Sequence, residues 1–233
     1  MTQAVISHRY NGPPQSGNGG YSCGLLAAHV SGPARVRLHV PPPLDTPLRI
    51  EYGGDGDVAM YDGETLVGTG VPAPLSLDIP DAPSLAAASA AMAGYICRDE
   101  HAFPTCFVCG PDRPADDGLG LYPGPVNDNT LLACTWEPRD DMLDDAGNVK
   151  PEIIWAALDC PGYFAAMEGE LRPALLGELL GEIRGDIPGS APLIVYSWPL
   201  GQDGRKYYGG TAIANTDGEV LACSHSTWIE LRA

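Results

Sequence analysis

The chain has 233 residues and a mass of 24.5 kDa, enough for one large domain or two of about half that length. With 44% hydrophobic and 18% charged residues and a mean hydropathy of -0.07, its bulk is too apolar to be disordered. Thirty acidic residues against 13 basic ones give a net charge of -17, a field that repels phosphate backbones and anionic lipids. No nucleic acid and no membrane is therefore expected as a partner. No apolar run reaches the roughly 18 residues of a membrane span. The first ten residues also lack a basic region followed by an apolar run, so a cytoplasmic location is the expectation.

In chain order, residues 17–31 open with glycines, continue with small apolar residues and end at Gly32-Pro33, which predicts a buried helix. Strands follow at 36–40, 48–52, 58–61 and 65–69, with Asp55-Gly56 and Asp62-Gly63 as turns. An alanine-rich stretch at 80–93 reads as a linker helix. Beyond it the order repeats at greater length. Strands are predicted at 119–122 and 130–136, a helix at 152–168, and strands at 179–187, 193–200, 206–215 and 220–231. A helix followed by antiparallel hairpins, occurring twice, is an α+β pattern in which a curved sheet covers a helix with one face and meets water with the other.

Seven cysteines, an odd number without an export signal, do not form a disulfide framework. Cys106 and Cys109 form a Cys-x-x-Cys pair with Cys97 and His101 upstream, so a zinc site of these four can be written down. It lacks a second tight pair, and a packed loop with two reduced thiols is preferred; no metal and no cofactor is expected, and zinc content should be substoichiometric. Only Lys150 and Lys206 are lysines. Against so acidic a background, Arg35 and Arg37, which alternate with His39 on one strand face, and Arg205 with Lys206 at a turn are candidates for binding an anionic substrate. Solvated surface is the alternative for both clusters.

The segment Asn18-Gly-Gly-Tyr-Ser-Cys-Gly-Leu-Leu-Ala27 resembles the glycine-pair opening of the central helix in hotdog-fold acyl-CoA thioesterases, the acyl-CoA thioesterase II type included. Cys106-Phe-Val-Cys-Gly-Pro-Asp112 with Gly118-Leu119 resembles a segment opening many phenylacetyl-CoA thioesterase-like hotdog domains. Trp155-Ala-Ala-Leu-Asp-Cys160 looks like that group's helix, and 218–222 with 228–231 is similar to a hotdog final hairpin. The resemblance implies two fused hotdog domains, each a central helix wrapped by a curved antiparallel sheet: residues 1–80, a linker at 81–104 with the alanine-rich helix, and residues 105–233. It also implies an acyl-thioester substrate such as acyl-CoA and, because duplicated hotdogs resemble half of a tetrameric assembly, a homodimer.

The halves depart from the family pattern in complementary ways. The family's acid stands nine positions after the first residue of the glycine triplet. Asn18 plus nine is Ala27, and Asp159 minus nine is Lys150, followed by Pro151 and Glu152. One half keeps the glycines and the other keeps the acid, so one composite site per chain is implied, with Ala27 and residues 150–152 forming a dead counterpart. Gly19 and Gly20 would expose helix-start amides to the negative charge that develops on a thioester oxygen, and Asn18 would add a side-chain amide or simply cap the helix. Asp159 sits in an apolar helix before Pro161. It is a candidate base or nucleophile, or only the cap of a helix that restarts there. A triad of Ser22, His29 and Asp45 lacks a Gly-x-Ser-x-Gly turn, and no histidine near the helix starts supports a dehydratase. Loss of catalysis with retained ligand binding is the alternative function.

Overall fold

Eleven strands hydrogen-bond side by side into one antiparallel sheet in the computed structural model of the chain, which describes residues 2–99, 101–126 and 131–232. In chain order the elements are β1 (Thr2–Val5), α1 (Gly19–Ala27), β2 (Ala34–Leu38), β3 (Pro47–Tyr52), β4 (Val58–Asp62), β5 (Thr65–Pro72), α2 (Leu85–Ala91), β6 (Gly124–Val126), β7 (Leu131–Trp136), α3 (Pro151–Ala157), α4 (Cys160–Ala166), β8 (Ala174–Ile183), β9 (Leu193–Asp203), β10 (Lys206–Ala214) and β11 (Val220–Glu230). The sheet order is β1-β3-β4-β5-β2-β8-β11-β10-β9-β7-β6. The strands before residue 73 thus form one flank and those after residue 123 the other. The flanks meet at β2 and β8, where Val36 lies opposite Leu179 and Arg37 opposite Glu178.

Period-two patterning explains what each face covers. Along β9, Leu193 and Val195 enter the main core, while Ile194, Tyr196 and Trp198 enter a second cluster on the opposite face. That second cluster is closed by Leu75, Leu77, Ile79 and the alanines of α2, and the Tyr196 hydroxyl donates to the Pro80 carbonyl at 3.0 Å. The alanine-rich linker therefore lies against the back of the sheet, and its small side chains set how closely it approaches.

On the main-core face α1 and α3 pack against each other through Gly20 and Gly24, one turn apart. A Cβ at Gly20 would lie 2.5 Å from Asp159 Cβ and 3.0 Å from Ala156 Cα, and would also strike the Trp155 carbonyl. A Cβ at Gly24 would lie 2.6 Å from Glu152 Cα. The sequence reads Gly20 as exposing its amide to a substrate, but at Gly20, as at Gly24, the space beside the glycine is filled by the facing helix.

Several boundaries differ from the sequence reading, each for a local reason. The helical stretch predicted over 152–168 does restart as expected at Pro161, which has no N–H for the Ala157 carbonyl: it divides into α3 and α4, the Leu158 carbonyl accepts the Ser224 hydroxyl at 3.1 Å, and the helical residues end at Ala166. The first helix ends at Ala27 rather than at residue 31; Gly32 then turns the chain at φ 75. Residues 119–122 are not a strand: the Leu119 and Leu121 amides donate to the Phe107 and Val108 carbonyls at 2.7 and 2.9 Å, folding the segment onto the Cys-x-x-Cys loop. β8 starts at Ala174, ahead of the predicted 179. β1, a four-residue mostly exposed edge strand, carries too little periodicity to be seen in the sequence. Thr130, where a strand was predicted to start, and position 100 of the linker lie outside the described residues. Among the described residues no helix is long and apolar enough to cross a membrane.

Candidate active site

The N-terminus of α1 is built by Asn18, whose Oδ1 accepts the Tyr21 amide at 2.9 Å in an ordinary N-cap. The same side chain turns its amide group across to the other half, donating from Nδ2 to Asp159 Oδ2 at 2.9 Å. Asp159 Oδ2 also accepts the Gly20 backbone N–H at 2.8 Å. A carboxylate from the α3/α4 join thus satisfies a helix-start donor of α1, beside the positive end of that helix dipole. Asp159 stands at the N-cap position of its own helix α4, but its side chain makes no capping bond there.

Asp159 is 1% exposed, and its Oδ1 has no hydrogen-bond partner in the protein among the described residues. Burial pushes its carboxyl up to about 7, and nearby Cys106 adds to this. The Gly20 N–H and the Asn18 amide pull the other way, because they bond the charged form. A carboxyl desolvated on one oxygen and anchored on the other is oriented, and only Oδ1 is left for chemistry.

Asp159, Asn18 and Gly19 line a cavity of about 450 Å³, a size suited to a small-molecule ligand. Its walls come from both flanks of the sheet and are mainly apolar, with Leu38, Phe103, Phe164, Leu176 and Trp228 among them. Gly20 is absent from the lining: its amide is engaged by Asp159 and its Cα faces α3. The reading of Gly20 as a free oxyanion donor is therefore corrected. Gly19, at the cavity wall, is the helix-start residue a ligand can meet.

Over 99% of its length the chain superposes on a conserved protein with a hot dog fold from Alicyclobacillus acidocaldarius, covering 93% of that chain at a TM-score of 0.61 and 11% identity. The chain has the double hotdog fold. It is likewise similar to the tesB protein of Mycobacterium avium subsp. paratuberculosis (TM-score 0.60, 12% identity, 92% of this chain and 87% of that one). The acyl-CoA thioesterase II TesB2 from Mycobacterium marinum matches comparably (TM-score 0.59, 12% identity, 94% and 90%). No protein-family model and no curated protein sequence matches the chain.

In this double hotdog the four cations proposed from sequence for substrate binding do not line the cavity. Arg35 and Arg37 are ion-paired with Glu178 across the seam between β2 and β8, at 3.6 and 2.8 Å. Arg205 donates to the Glu230 carbonyl at 2.7 Å, and Lys206 opens β10 in an exposed position. The basic side chains on the cavity wall are instead His39, from the same strand pattern as the two arginines, His101 and Arg172. Arg172 is held by the Tyr207 hydroxyl at 2.7 Å and Glu170 at 2.5 Å. Nothing near it in sequence marks Arg172, because it lies in the loop before β8.

The cavity wall also contains Cys106, Cys109 and Cys160, whose sulfurs all lie within 4.8 Å of one another. The third thiol beside the Cys-x-x-Cys pair is thus Cys160, which follows Asp159, rather than Cys97. The sequence could not pair residues 54 positions apart on opposite sides of a helix break.

Proposed function

We propose that the chain hydrolyses acyl thioesters, acyl-CoA being the substrate class, at the composite site formed by Asp159 with Asn18 and Gly19. The observation that carries this reading is the buried Asp159 Oδ1, unpartnered at the wall of an apolar cavity, while Oδ2 is fixed by two N–H donors. Burying a carboxylate without pairing it fully is costly, and packing alone gives no reason for it.

In this reading the acyl chain lies along Leu38, Phe103, Phe164 and Leu176, and Arg172 and His39 meet the polar carrier. Asp159 Oδ1 removes a proton from a water whose oxygen adds to the thioester carbonyl carbon. The developing oxyanion turns to the start of α1 at Gly19, the positive end of its dipole. The carbon–sulfur bond then breaks, the proton held by Asp159 passes to the leaving sulfur, and a carboxylic acid and a thiol result. The other helix pair end, Ala27 with residues 150–152, takes no part.

The test is thiol release from a panel of acyl-CoA esters. Wild type should cleave at least one, and Asp159→Asn, which keeps size but removes the base, should lower kcat by about 10²–10⁴-fold with binding little changed. Equal rates for the two proteins would reduce Asp159 to a cap of α1. Tight acyl-CoA binding without cleavage would make the protein a non-catalytic binder.

A further inference from the structure

Beside the carboxylate, the cavity wall brings three sulfurs together from two distant segments, and their surroundings are not those of idle thiols. Cys106 Sγ and Cys160 Sγ are 3.8 Å apart, and all three sulfurs lie within 4.8 Å. A tetrahedral zinc centre with Zn–S bonds of about 2.3 Å has sulfur–sulfur edges of about 3.8 Å, so the spacing admits the ion with small adjustments.

Side-chain N–H donors stand beside two of the three sulfurs. His101 Nδ1 accepts the Phe103 amide at 2.9 Å, which leaves the proton of the neutral ring on Nε2, and Nε2 lies 3.3 Å from Cys109 Sγ. Asn18 Nδ2 stands 3.8 Å from Cys160 Sγ. A buried thiol that only fills space packs as a small apolar group and needs no such donors. N–H groups aimed at sulfur compensate negative charge there, as the outer shell of a thiolate–metal centre does.

The loop is also held in place without help from a ligand. The Gly110 amide donates to the Cys106 carbonyl at 3.0 Å, and a Cβ at Gly110 would lie 2.5 Å from Cys106 N. Arg113 donates to Thr105 O and Asn11 Oδ1, both at 2.6 Å, tying the loop to the first half of the chain.

We propose that Cys106, Cys109 and Cys160 bind one zinc ion as three thiolates, with His101 donating to the Cys109 sulfur and the fourth corner of the tetrahedron facing the cavity. Binding releases the three thiol protons to solvent. The sequence argument against zinc, the missing second cysteine pair, is met by Cys160. The inference stands apart from the hydrolase reading, since neither the sulfurs nor their donors depend on turnover.

The experiment uses the full chain, reduced and stripped of metal, titrated with Zn²⁺ against a chromogenic chelator, with metal counted by elemental analysis after desalting. One zinc per chain is expected, with three of the seven cysteines protected from alkylation. Co²⁺ in place of zinc should give an intense sulfur-to-metal charge-transfer band. Cys160→Ser should weaken binding by more than about 100-fold, and His101→Gln by about 10–100-fold as an outer-shell change. Cys134→Ser, a buried thiol on β7, should retain one equivalent. If Cys160→Ser does not fold, the cobalt spectrum and alkylation count of wild type decide. Reduced wild type that takes up no zinc, copper(I) binding without zinc binding, or full zinc affinity in Cys160→Ser would each overturn the proposal.

Discussion

The two ends of the α1/α3 pair are related by the duplication of the fold, yet they have been put to different uses. At the start of α1, Asn18 and Gly19 border a cavity, and Asp159 reaches across to bond Gly20. At the start of α3, Lys150 holds the N-cap position without a side-chain cap bond, Pro151 occupies the first turn, and the lysine ammonium donates to the Asp141 carbonyl at 3.0 Å. The matching position at the far end of α1 is Ala27, buried and apolar. The comparison teaches that duplicated backbone geometry does not make a site. A carboxylate left partly unpaired against a cavity, the feature on which the proposed site rests, is present at the Asp159 end and has no counterpart at Ala27.

The largest structural effect is expected where the working end and the packing coincide. Gly20→Val places a side chain against Asp159 Cβ and the α3 backbone, neither of which can yield cheaply. It should cost about 3 kcal/mol or more, roughly 6–12 °C in melting temperature for a chain of this length, and should abolish thioester cleavage. Gly24→Ala sharpens the point. It meets Glu152 Cα one turn further from the cavity, so it should destabilise by about 1–3 kcal/mol while the folded fraction keeps its kcat. Calorimetry with active-fraction kinetics separates the two; a Gly24→Ala protein whose kcat falls as far as that of Gly20→Val would show that the helix pair itself, not one end of it, is the functional unit.

The contrast between the ends was legible in the sequence, because the spacing from Asn18 to Ala27 and from Lys150 to Asp159 is local arithmetic. So were the break at Pro161, the hairpin turns and the apolar helices, each set by residues a few positions apart. What escaped depends on contacts between distant segments. That Gly20 gives its amide to Asp159 and not to a ligand follows from the α1/α3 approach. That Arg35 and Arg37 serve a seam follows from the pairing of β2 with β8. The meeting of Cys160 with Cys106 and Cys109 requires the loop before β6 to fold back over the start of α4. Composition and periodicity are silent on such meetings, and two of the four cations that stand out in an acidic chain, Arg35 and Arg37, are paired with Glu178.

A middle-sized effect tests whether the quiet end can be made to resemble the working one. Ala27→Asp places an acid at the position of the first half that corresponds to Asp159 in the second, but it puts a charge into a buried site. A loss of about 2 kcal/mol in denaturant unfolding is expected, with thioester turnover per chain unchanged. A rise in turnover that survives Asp159→Asn would mean that the second end is a dormant site needing only its acid, and the asymmetry drawn above would shrink to one residue.

The smallest effect belongs to the cations once considered for substrate. Arg37 is 62% exposed and shares Glu178 with Arg35, an arrangement that contributes about 0–1 kcal/mol and is screened by salt. Arg37→Ala should therefore change stability by no more than about 0.5 kcal/mol, less still at high ionic strength, and leave KM for acyl-CoA esters unaltered. Arg172→Ala removes the one arginine on the cavity wall and should raise KM several-fold with little change in kcat, since its contact would be made equally in the ground and transition states. If instead Arg37→Ala raised KM and Arg172→Ala did not, the carrier would lie over the β2/β8 seam rather than at the mouth beside β8. The acyl group would then enter the cavity from the first half of the chain, past His39, and not from the second.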